Sequence, residues 1–129
     1  MPDLLTNHML KIAWGGMLLG VISGAIIGLF FAREDWMGGY SSWRRRLTRL
    51  GHISFFGLSF VNFFFAFTHH TLTLDHVWAM RAAWGFGIGA AAMPTVCFLS
   101  AWKQPLRHLF FIPVGGVAIG VLSTLAGWP

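Results

Sequence analysis

The chain has 129 residues, of which 56% are hydrophobic, 16% aromatic and only 10% charged, and its formal net charge is +5. Soluble domains carry about 25% charged residues, and a chain this short has no room to hide so much apolar surface in one interior core. Composition therefore excludes a soluble enzyme and points to an all-α integral membrane protein folded as one domain, residues 1–129, because open strands and loops leave backbone groups unpaired in lipid.

The first apolar stretch runs from about Leu10 to Ala32, meeting the roughly 20 residues a helix needs to cross a hydrocarbon core of about 30 Å. Met1 to Asn7 carry no positive residue, and the apolar run is too long for a cleaved signal sequence, so this span is expected to stay in the protein. Gly16, Gly20, Gly24 and Gly28 recur at every fourth position. Small residues at that spacing form a groove that admits another helix closely, whether from this chain or from another subunit.

The first connection carries Arg33, Arg44, Arg45, Arg46 and Arg49 among Trp36, Tyr40 and Trp43, aromatics that favour the headgroup level. Gly38-Gly39 marks a break. Ser41 or Ser42 is placed to cap a helix that runs through the arginines into the second span, Leu50 to Thr68. In that helix His52 and His70 lie 18 residues apart, five turns and about 27 Å along one face. Phe56, Ser59, Phe63 and Ala66 fall between them and could flank a flat ligand. Asn62, near the middle of the span, requires an interhelical hydrogen bond.

The third span, Val77 to Ser100, follows a short connection from His69 to His76. Arg81, one turn inside it, is placed to snorkel or to pair with Asp75. Cys97 is the only cysteine, so there is no intrachain disulfide, and no C-x-x-C-H motif is present for covalent haem. The fourth span, Leu106 to Ala126, begins near Pro105 and contains Gly116 and Gly120; Pro94 and Pro113 are expected to kink the third and fourth spans.

Arg33, Arg44, Arg45, Arg46, Arg49, Lys103 and Arg107 fall in the first and third connections, against Lys11 and Arg81 near the opposite surface. This distribution keeps the arginine-rich connections in the cytoplasm and places both termini outside, as in a bacterial-type inner membrane. The positive charge is read as a topological anchor in contact with anionic lipid, not as a nucleic-acid footprint.

Six histidines sit near the ends of these spans. His52 and His108 share the cytoplasmic depth on two helices, the arrangement that axial ligation of a b-type haem needs, with Arg107 or Arg49 available to the propionates. In general layout this resembles the membrane cytochromes b. His70 and His76, with His8 and His69, gather at the outer surface, where they and Arg81 are candidates for haem or quinone contact. The competing reading treats the histidines as interfacial side chains and the chain as a cofactor-free structural or assembly subunit. Asp3, Glu34, Asp35 and Asp75 all lie outside the spans or at their ends, which disfavours a transporter. The expectation is a small membrane subunit of a bioenergetic, electron-transfer complex.

Overall fold

The computed structural model describes residues 2–129. Its four long helices are α1 (Leu4–Phe31), α2 (Trp43–Leu72), α3 (His76–Trp102) and α4 (Phe111–Ala126), the last preceded directly by a 3-10 segment, Gln104–Phe110. Each is long and apolar enough to cross a membrane when that segment is counted with α4. With 28 and 30 residues, α1 and α2 measure about 42 and 45 Å. That is the whole bilayer with its headgroups, which is why both helices extend beyond their apolar stretches.

Local chemistry sets the helix ends. Asp3 starts α1 by accepting the Thr6 N–H at 2.7 Å, well ahead of the apolar run. Ser42 starts α2, its hydroxyl oxygen accepting the Arg45 N–H at 3.2 Å. The expected break is present, with Met37, Gly38 and Gly39 at φ 53°, 85° and 98°, a region that glycine enters without steric cost.

Only Thr73, Leu74 and Asp75 separate α2 from α3. The Asp75 carboxylate accepts the Val77 and Trp78 N–H groups, and its own N–H donates to the Gly127 carbonyl at 3.1 Å, tying this turn to the end of α4. Arg81 therefore does not pair with Asp75; it lies 4.8 Å over the Trp78 ring. The helix α3 continues through Pro94. Pro113 sits in the first turn of α4, where a missing N–H matters least, so the irregularity falls at the junction of 3-10 and α structure.

Each helix packs on its predecessor, α1 touches α3 lightly, and α1 and α4 share no substantial interface. Asp3 at the start of α1, Gly127 after α4 and the α2–α3 turn lie at one end of the bundle, the terminal end. The core beneath it is formed by Met9, Phe65, Ala66, Leu74, Ala79, Ala82 and Phe86. Leu18, Leu29, Phe64 and Phe111 are among the many large side chains left outward, as a lipid solvent permits.

Glycine governs the two outer seams. A Cβ at Gly20 would stand 2.5 Å from the Phe56 ring and one at Gly24 2.7 Å from His52, while one at Gly16 would overlap the Ser59 hydroxyl. The glycine row of α1 thus packs against α2 of the same chain. In the α3/α4 seam Gly85 faces Gly116 and Gly120, and a Cβ on Gly85 would come within 2.5 Å of the Gly116 carbonyl. Asn62, fully buried, spans the middle seam by donating to the Phe86 carbonyl of α3 at 3.4 Å.

The row ends before its last member, because nothing lies within 4 Å of a Cβ at Gly28. Gly20→Leu or Gly24→Leu should destabilise the purified protein by about 1–3 kcal/mol or more, the usual cost of overpacking, whereas Gly28→Leu should leave it unchanged. Denaturant titration in micelles measures the difference, and equal stability of all three variants would contradict the assigned seam.

Candidate functional site

His52 is half-buried, with its ring against Gly24. The Ser23 hydroxyl donates to the Gly20 carbonyl at 3.1 Å and lies 3.0 Å from His52 Nδ1. Edge-on contact with Phe56, at 5.7 Å between ring centroids, completes the setting. The His52–Phe56–Ser59 part of the face expected to flank a flat ligand is therefore closed by Gly16, Gly20 and Gly24.

His108 is exposed on the 3-10 segment before α4, with Arg107 exposed beside it. α2 and α4 both pack on α3 and share no substantial interface. His52 is thus turned into the α1/α2 seam, while His108 is exposed on a segment that packs on α3. Depth fixes neither helix order nor the direction of a ring.

At the terminal end the histidines separate as well. His69 is 7% exposed, stacks on Phe65 at 6.2 Å, and places Nε2 3.0 Å from an Asp3 carboxylate oxygen, whereas His70 is exposed. A straight helix puts His70 on the His52 face, but buried Ser59, Asn62, Ala66 and His69 follow one another in alternating steps of three and four. That repeat of roughly 3.5 drifts by about 20° per heptad relative to a straight helix, and by the end of α2 the seam passes through His69. Among the described residues no group of three or more His, Cys, Asp or Glu side chains converges as a metal site.

Asp3 has two roles at this end, capping α1 and receiving His69. The Thr6 backbone N–H, chiefly, and His69 hold its carboxyl below the usual 3.8, against the opposing effect of partial burial.

At the opposite end Arg45 is fully buried. Its guanidinium donates to the Arg33 carbonyl at 2.9 Å and to the Phe31 carbonyl, and lies 3.8 Å over Tyr40 with Phe31 and Trp36 also around it. A cation is thereby placed on the Phe31 carbonyl at the end of α1, where the helix dipole favours it. In the sequence the arginines read alike as surface anchors; the neighbouring Trp36 and Tyr40 are the signal that one of them is caged.

Room for a ligand lies elsewhere. His76, Met80, Trp84 and Ile88 form a ridge on α3 bordered by two apolar grooves. One, of about 540 Å³, lies between α3 and α4 over Gly85 and Gly116. The larger, about 660 Å³, lies between α1 and α3, with Leu5, His8, Met9 and Ile12 on one wall and His76, Met80, Ala83, Trp84 and Gly87 on the other. It arises because α1 leans on α2 and only brushes α3.

The polar side chains of the larger groove are His8 and His76, near its end at the chain termini, and Trp84 deeper within. His8 places Nδ1 2.7 Å from the Leu4 carbonyl one turn earlier. Gly87 faces open space: a Cβ added there would meet only Ile12, at 4.0 Å. No family model, curated protein or solved structure matches this chain.

The Asp3 clasp generates a pH-dependent prediction. A carboxyl whose pKa is depressed on folding stabilises the fold above its unfolded value, here 3.8, and that contribution disappears as pH falls through the lower folded value. Asp3→Ala should cost about 1–2 kcal/mol at neutral pH, as for other N-caps, and the gap from the parent protein should shrink in acid below the unfolded pKa. Stability curves of the two proteins against pH test this; a gap that grows in acid contradicts it.

Proposed function

We propose that this chain is a small multi-pass subunit of an electron-transfer complex in a bacterial-type inner membrane, and that its α1/α3 groove takes the ring of a quinone-class ligand. The groove is the observation that carries the reading. Its lining on α3 runs from His76 to Ala91, about 22 Å along the helix, and is apolar except for imidazoles at one end and a single indole. An amphiphile with a flat polar ring and an isoprenoid chain has this distribution, and small-molecule sites combine apolar walls with a few directional polar groups in the same way.

The positive-inside distribution supports placing the mouth at the outer surface, because the arginine-rich connections belong in the cytoplasm. His76 remains a candidate contact, joined by His8. His70, exposed beyond the groove, and the pair His52 and His108 have no part in this reading. Other transmembrane subunits and lipid would cover the outward faces.

A second reading is a cofactor-free structural or assembly subunit. It is supported by Gly15, Gly28, Gly57 and Gly115, around which nothing lies within 4 Å of an added Cβ; outward-facing glycines of this kind let a neighbouring subunit's helix approach. The two readings separate in one experiment. A short-chain photoreactive quinone added to the protein in nanodiscs should label α1 and α3 saturably, and Gly87→Leu, whose Cβ would meet only Ile12 at 4.0 Å and whose side chain would occupy the groove, should weaken binding about tenfold or more, equivalent to about 1.4 kcal/mol. Labelling that rises linearly with probe and ignores Gly87→Leu would favour the structural subunit.

A further inference from the structure

We infer that His8 makes the α1/α3 groove selective for the reduced, hydroxyl-bearing form of its ring ligand. This rests on the groove being a quinone-class site, and it adds a direction of hydrogen bonding that the groove's shape alone does not supply.

One contact fixes the chemistry of the ring. His8 Nδ1 lies 2.7 Å from the Leu4 carbonyl oxygen. A carbonyl only accepts, so Nδ1 carries the proton of the bond, and a neutral imidazole has no second N–H to offer. Nε2 is therefore a lone-pair acceptor. The backbone of α1 fixes this tautomer, since Leu4 and His8 are one turn apart in a helix capped by Asp3, and the ring borders the groove near its end at the chain termini.

A ligand ring placed there meets an acceptor. A hydroquinone has an O–H to donate to Nε2, whereas a quinone carbonyl brings a second acceptor and gains no hydrogen bond from it. Trp84 offers a donor, its indole N–H, but about two turns deeper along α3 than His76, on the apolar reach of the groove. His76, whose ring has no hydrogen-bond partner fixing its tautomer, can present a donor or an acceptor and so does not discriminate; the preference for a donor-bearing ring comes from His8, with the ligand's chain running inward past Met80 and Trp84.

The test uses the full-length protein in nanodiscs, in mildly alkaline buffer, with two probes of similar shape: a short-chain prenylated hydroquinone kept reduced, and its dimethyl ether, which lacks the O–H groups. The hydroquinone should bind about tenfold more tightly, the scale of one net hydrogen bond. In His8→Phe, an exposed position tolerant of substitution, the two probes should bind equally; in His76→Phe the preference should persist. Equal binding of both probes to the parent protein, still blocked by Gly87→Leu, would overturn the role of His8 while leaving the groove as a site. Failure of both probes to bind saturably, with phospholipid retained in the groove, would overturn the inference together with the quinone-class reading beneath it.

Discussion

In lipid, two helices gain nothing from hiding leucine against leucine, because the acyl chains they leave are equally apolar; association depends on how closely their backbones approach. Gly16, Gly20 and Gly24 let α1 settle onto Ser59, Phe56 and His52 of α2, and Gly85, Gly116 and Gly120 bring α3 and α4 into backbone contact. The rest of the architecture follows from these two seams. Because α1 is committed to α2 and α4 to α3, the remaining space lies on either side of the α3 ridge, in the grooves bordered by His76, Met80, Trp84 and Ile88.

Polar groups are concentrated at the ends of the bundle and at one point in its middle. Arg45 closes α1 at one end, the Asp3–His69 clasp closes α1 onto α2 at the other, and Asn62 joins α2 to α3 between them. Arg45 exchanges hydration for carbonyls and aromatic faces, a substitution for which a planar guanidinium is suited. His52 belongs to the same class of interaction: the hydrogen bond between its Nδ1 and the Ser23 hydroxyl and its ring on Gly24 make it part of the α1/α2 seam. The histidines at the groove mouth differ in being exposed, which leaves His8 Nε2 and the His76 ring available to a ligand.

The four spans are legible in the sequence because 20 apolar residues in a row have few other uses, and the Gly38-Gly39 break and a serine cap at Ser41 or Ser42 are legible because each needs a particular residue type; the structure selects Ser42. Helix ends are less so, since α1 and α2 extend into the headgroup layer, where apolarity no longer reports helicity. The spacing of Gly16, Gly20 and Gly24 announces a close contact without naming its partner, because a groove carries no address. Counting turns of a straight 3.6-residue helix selects His70, whereas the coiled path of the seam selects His69. The groove itself is invisible in the sequence: no spacing brings Leu5, Met9 and Ile12 opposite Met80 and Trp84, and only the unequal packing of α1 on α2 and α3 makes them walls.

The claim that this chain closes its own glycine seam, and so leaves the α1/α3 groove open, is tested most directly by cross-linking. A Cβ at Gly16 lies 3.5 Å from the Ser59 Cβ, at the short edge of the range of roughly 3.5–4.5 Å found in disulfides. Gly16→Cys with Ser59→Cys, in a chain where Cys97→Ala removes the native thiol, should on mild oxidation form a bond within one chain that migrates as a monomer on a non-reducing gel. Cross-linked dimers in place of that monomer, or thiols that stay free, would mean that the glycine row of α1 belongs to another subunit and that the groove described here is not formed by this chain alone.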